Sequence, residues 1–101
     1  MNGIYTVKQV NSYIKNMFTQ DFMLNRIYVK GEISNCKYHP SGHIYFSLKD
    51  ESGTIACVMF AGSRAGLSFT LKNGQRVIAF GSVSVYERDG KYQLYARNIT
   101  K

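Results

Sequence analysis

Between Ile27 and Phe60 apolar and polar residues alternate with period two, the spacing at which strand side chains point to opposite faces of a sheet. In a first strand Ile27, Val29 and Ile33 fall on one side, and Tyr28, Lys30, Glu32 and Ser34 on the other. Gly31 interrupts this run, and a glycine there marks a bulge, a tight bend or a close backbone approach. In a second strand Ile44, Phe46 and Leu48 point inward, which leaves His43, Tyr45, Ser47 and Lys49 in an outward row. Residues 35–42 join the two as a basic, aromatic loop in which Pro40, Ser41 and Gly42 are turn formers. After a turn at Asp50-Glu51-Ser52-Gly53, a third strand sets Ile55, Cys57 and Met59 against Ala56, Val58 and Phe60. Both of its faces are apolar, so it reads as central.

Upstream the period changes to that of a helix. Thr6 and Gln9 have the spacing of a capping box, which predicts a helix over about residues 6–19. Val7, Val10, Ile14, Met17 and Phe18 form its expected packing face, with Lys8, Gln9, Asn11, Ser12 and Lys15 on the far side. Residues 19–25 read as a short connection that carries Phe22 and Leu24 back toward the core. Downstream, residues 61–71 read as a loop with one helical turn, where Gly62 and Gly66 bracket Arg64. Asn73-Gly74 launches a fourth strand over residues 76–86, interrupted by Gly81. Glu87-Arg88-Asp89-Gly90 then closes a hairpin onto a fifth strand over residues 91–99. Five curved strands with glycines inside them predict an all-β, Greek-key OB-fold barrel over about residues 26–99, preceded by one α-helix. Ligands of that architecture lie across strands two and three, between the loops joining strands one to two and four to five. Here those loops carry Lys37, Tyr38, His39 and Arg88.

A chain of 101 residues is one domain, burying about 60–65 % of the surface of its unfolded form. Its net charge of +7 favours polyanions, nucleic acid before an anionic membrane surface. The absence of a long apolar run and of a signal pattern predicts a soluble cytoplasmic protein with no membrane partner. Cys36 and Cys57 are too few for a disulfide framework and read as reduced thiols.

Several stretches resemble the N-terminal domain of the exodeoxyribonuclease VII large subunit. They are Gly31-Glu32-Ile33-Ser34-Asn35, the run from Ser41 through His43-Ile44-Tyr45-Phe46 to Asp50, Cys57-Val58-Met59-Phe60, Val83-Ser84-Val85-Tyr86-Glu87 and Gly90-Lys91-Tyr92-Gln93-Leu94. Thr6-Val7-Lys8-Gln9-Val10-Asn11 is similar to that domain's opening helix, and the likeness covers about residues 5–99. The resemblance implies an OB-fold that holds single-stranded DNA for a nuclease domain further along the same polypeptide, with small subunits bound beyond it. The parent enzyme would cut single-stranded DNA from either end into short oligonucleotides. The downstream nuclease domain is expected to be absent from this chain, and the chain alone to be non-catalytic. It departs from the family in residues 61–71, where a more basic stretch is expected and only Arg64 stands.

Binding a single strand without sequence preference needs cations along the phosphates and flat rings beneath the bases. Lys30, Lys37, Lys49, Arg64 and Arg88 are candidate phosphate contacts. Tyr38, Tyr45 and Phe60 are candidate stacking platforms, and His43 can donate to phosphate or stack. Each also has a plainer reading: Tyr45 as cover for the barrel wall, Phe60 as a plug for the core, the lysines as solvated surface. Tyr86 and Tyr92 are expected to pack near the hairpin. Glu32, Asp50 and Glu51 are read as turn and solvent residues rather than metal ligands. Cys36, His39, His43 and Cys57 offer four zinc-ligating groups but no CxxC pair, and neither a metal nor a cofactor is expected. An RNA-binding OB domain of the anticodon-binding type and a protein-interaction barrel are the alternatives to a DNA grip.

Overall fold

The computed structural model describes residues 3–101. It contains α1 (Val7–Gln20), α2 (Phe22–Asn25), β1 (Ile27–Tyr38), β2 (Ile44–Lys49), β3 (Thr54–Met59), a 3-10 segment (Ala61–Gly66), β4 (Arg76–Tyr86) and β5 (Lys91–Thr100). The strands close into a barrel in the order β1-β2-β3-β5-β4, as the Greek-key OB expectation requires. Its seam is the parallel β3–β5 pairing, with Cys57 opposite Leu94 and Val58 opposite Tyr95. The inward set of the alternation fills the core: Ile33, Ile44, Phe46, Leu48, Met59, Val77, Ala79 and Leu94 are all buried. Among the described residues no helix is long and apolar enough to cross a membrane.

β1 serves two neighbours. Its first half pairs with β4 and its second half with β2, and Glu32 belongs to both ladders, opposite Arg76 and Lys49. Gly31 sits at this bend, where an added Cβ would lie 3.1 Å from the Lys49 carbonyl oxygen. The glycine marks a close backbone approach.

The strand also runs further than the alternation indicated. Residues 35–38 continue β1 instead of opening the loop, which shrinks to residues 39–43. Asn35 has φ +50°, and Asn35 and Cys36 together face the single residue Phe46, so the strand contains a bulge. Asparagine tolerates the left-handed region better than most residues. The extra residue resets the phase: Cys36 packs on the core, and Lys37 turns outward opposite Tyr45.

α1 starts with the predicted capping box, Thr6 Oγ1 accepting from the Gln9 amide and the Gln9 side chain from the Thr6 amide. Its orientation reverses the expectation. The polar side faces the barrel: Asn11 Nδ2 donates to the Glu87 carbonyl at 2.9 Å and Ser12 Oγ to the Glu87 carboxylate at 2.7 Å, with Lys15 Nζ 3.4 Å from that carboxylate. Val7, Val10, Ile14 and Met17 remain exposed, and of the expected packing face only Phe18 joins the core. An acceptor-rich hairpin tip selects the donors of the helix over its apolar stripe. The segment after α1 differs too. Asp21 caps the short helix α2 by accepting from the Leu24 amide, which leaves Phe22 85 % exposed while Leu24 packs on the core.

Candidate nucleic-acid interface

The barrel register builds a single row across its outer wall. Lys37 stands opposite Tyr45, Tyr45 opposite Val58, Val58 opposite Tyr95, and Tyr95 opposite Ser82, one residue from each of the five strands. Residues directly opposite one another share a face. Val58 is only 1 % exposed although it points away from the core, because the flanking rings of Tyr45 and Tyr95 shield it. This explains why β3 reads as apolar on both faces. The outer apolar layer is a floor beneath aromatic rings, not a contact with another sheet.

Above this floor the rings form a connected group. His43 stands edge-on to Phe60 at 5.0 Å and to Tyr45 at 6.4 Å, and Phe60 meets Tyr95 at 5.7 Å. His39 adds a further edge contact to Tyr45 at 6.0 Å. Phe60 lies just past β3 and is 44 % exposed, so it does not plug the core. Tyr45 is 42 % exposed, half embedded in the wall and half open to solvent.

The histidines are fixed by their turn. His43 Nδ1 accepts from the Ala61 amide at 2.9 Å, which in the neutral ring leaves the proton on Nε2, a donor with no partner among the described residues. His39 Nδ1 accepts from the Ser41 amide at 3.1 Å. Arg64 braces the same turn: its guanidinium donates to the Gly42 carbonyl at 3.0 Å and lies over the Tyr38 ring at 5.3 Å. The Tyr38 hydroxyl accepts from the Leu71 amide at 2.7 Å. Tyr38 and Arg64 thus hold the loop in position beside the ring group.

The remaining candidates lie elsewhere. Lys49 pairs with Glu32 at 3.8 Å, and with Lys30 it lines a depression that also holds Arg76 and Lys101. Arg88 is exposed on the β4–β5 turn, whose Glu87 seats α1. Because β5 runs parallel to β3, that turn lies toward the Thr54 end of β3, whereas His43 and Phe60 gather at the Met59 end. Tyr92 packs against Phe18 of α1 at 6.2 Å.

Two members of the ring group, His39 and Tyr95, fall outside the residues that sequence reasoning selected as binding contacts. Tyr95 lies between buried Leu94 and Ala96, so its outward phase is readable from the alternation. Its neighbours are not, since they depend on the parallel closure of the barrel.

The four zinc-ligating groups are not gathered. Cys57 is buried in the core, where desolvation pushes its thiol up to about 12, and the Cys36 thiol faces the Leu71 carbonyl. Among the described residues no group of three or more His, Cys, Asp or Glu could hold a metal ion. Asp50 closes the β2–β3 turn by accepting from the Ser52 and Gly53 amides.

A closed five-stranded barrel of this order, crossed on its outer wall by an aromatic row with Lys37 at one end, is an OB-fold. The chain belongs to the OB-fold nucleic acid binding domain family, whose model matches residues 5–100. It is 70 % identical over 98 % of its length to the exodeoxyribonuclease 7 large subunit of Lachnoclostridium phytofermentans, and 56 % identical over 95 % of its length to that of Clostridium botulinum strain Okra. It spans about a quarter of the length of these relatives, 25 % and 24 %, and the likeness is to their N-terminal part. The asparaginyl-tRNA synthetase of Pyrococcus horikoshii shares the fold, with a TM-score of 0.60 over 76 % of this chain and 20 % of its own, at 19 % identity.

Proposed function

We propose that this domain grips single-stranded DNA for an exodeoxyribonuclease, holding it for cleavage to short oligonucleotides by a nuclease domain of the same polypeptide that works with small subunits. The observation that carries this reading is the ring group of Tyr45, His43, Phe60 and Tyr95 with Lys37 at its edge. Flat side chains accept any base by stacking, and Lys37 with the Nε2 donor of His43 meets the phosphates. Hydrogen-bond readout of base edges is not needed, which suits an enzyme that degrades strands of any sequence. The name exodeoxyribonuclease carried by the relatives supports DNA, rather than RNA, as the ligand.

The test is a fluorescence-anisotropy titration of labelled oligo-dT at several salt concentrations, with blunt duplex and oligo-U as competitors, repeated for Tyr45→Ala. Affinity should fall with salt at a slope of about −0.7 per neutralised phosphate. Tyr45→Ala should cost about 1–3 kcal/mol, the value of one stacked base. Failure to bind at low salt would overturn the reading. Stronger competition by oligo-U would move the ligand to RNA, and binding indifferent to Tyr45→Ala would move it off this face.

A further inference from the structure

A second group of rings and cations lies on the β1–β4–β5 wall, beyond the Tyr95–Ser82 end of the row just described. Tyr28 stands opposite Phe80, with ring centroids 4.7 Å apart, and is 73 % exposed. The Arg26 and Arg97 guanidiniums lie over the Phe80 ring at 5.5 and 5.0 Å. Neither arginine pairs with a carboxylate among the described residues. Arg97 spends one donor on the Asn25 carbonyl at 3.0 Å, and a guanidinium has five.

A hydrophobic contact alone does not account for this arrangement. Phe80 is the half-buried base of the group, and its contacts with both cations keep their planes in place. Tyr28 leaves most of its ring open beside them, so an open π-surface and two uncompensated positive charges occupy one patch. That pairing fits a base and its flanking phosphates. The patch also continues from the first face, since Arg97 follows Tyr95 by two residues on β5 and brings the chain of side chains round to Phe80.

We propose that Tyr28, Phe80, Arg26 and Arg97 form a second contact for single-stranded nucleic acid, engaging the part of the strand that extends past Tyr95. This rests on the function proposed above and lengthens its binding path. A short oligonucleotide fills the first face alone, and a longer one reaches Tyr28.

The experiment compares oligo-dT of about 5 and about 15 nucleotides, within the range of site sizes known for single OB-folds. Both are titrated against the unaltered chain, Tyr28→Ala, Tyr28→Phe, Arg26→Gln and Tyr45→Ala, each first shown by circular dichroism to melt cooperatively. Tyr28→Ala should weaken the long oligonucleotide by roughly 5- to 150-fold, the equivalent of one lost stack, and leave the short one unchanged. Tyr28→Phe should bind as the unaltered chain does, and Arg26→Gln should lower the salt slope for the long oligonucleotide only. Photocrosslinking of a long 5-iodouracil-substituted strand should mark Tyr28, and a short strand should not. Loss of affinity in Tyr45→Ala with no effect of Tyr28→Ala at either length, and no crosslink to Tyr28, overturns the second contact and leaves the first intact. If neither length binds the unaltered chain, the proposed function fails, and this contact with it.

Discussion

His43 shows how a single side chain is oriented by its own turn, and on the proposed function that orientation serves the ligand. Its Nδ1 is occupied by the Ala61 amide, so its Nε2 proton is presented from a ring whose rotation is fixed. His43→Ala is expected to weaken DNA binding and to loosen the β1–β2 turn, whereas His43→Asn, which can still accept from Ala61, should restore turn order more than binding. Amide exchange at Ala61 measured alongside affinity separates the two effects. Cys57 illustrates the opposite case, a group withdrawn from chemistry. With its thiol held at about 12 by burial, it should resist a thiol reagent at pH 8 until the barrel unfolds, and Cys36, half-buried and also raised by desolvation, should react first. At this scale the sequence was a partial guide. Tyr45 and His43 were legible because period two fixes the phase of β2. Arg64 and Tyr38 were legible as a cation and a ring but not as braces, since their partners Gly42 and Leu71 are 22 and 33 residues away.

Between β4 and β5 the backbone at Gly81 leaves no room for a side chain. A Cβ added at Gly81 would lie 2.0 Å from the Tyr95 carbonyl oxygen, so the backbone would have to move. Gly81→Ala should destabilise the barrel by about 1–3 kcal/mol or more in chemical denaturation. By shifting Tyr95, it should also weaken DNA binding beyond what the lost stability explains. Helix α1 gives the electrostatic counterpart. The Ser12 hydroxyl, and then Lys15, hold the Glu87 carboxyl below its usual range. A lowered folded value means that the attachment contributes above the ordinary carboxylate range and is lost as pH falls through Glu87's own pKa. Thermal melts should therefore separate the unaltered protein from Glu87→Gln at pH 7 and converge toward pH 3. The boundaries of α1 and the hairpin were legible from Thr6, Gln9 and Asp89-Gly90. The side of α1 facing the barrel was not, because periodicity identifies an apolar stripe without saying which neighbour offers hydrogen-bond acceptors.

For the whole molecule, the net charge of +7 is divided among distinct patches instead of forming one basic groove. Lys37 borders the ring group, Lys30 and Lys49 line a depression with Arg76 and Lys101, and Arg26 and Arg97 flank Phe80. A longer strand should consequently show a steeper salt dependence than a short one, by about −0.7 for each added phosphate contact. The closed barrel follows from five strands and their glycines, but the order of pairing around it does not follow from alternation alone. The parallel seam shows what that order implies for motion. Only Cys57–Leu94 and Val58–Tyr95 are in register there, against nine opposed pairs between β4 and β5. Transient opening of the barrel should begin at the seam, and opening would pull Tyr95 away from Val58 and Tyr45. On the proposed function, a strand stacked on those rings would bridge the seam from outside. Bound DNA should then slow hydrogen exchange at Val58 and Tyr95 more than in the β4–β5 ladder, which makes the ligand a removable clasp on the fold that holds it.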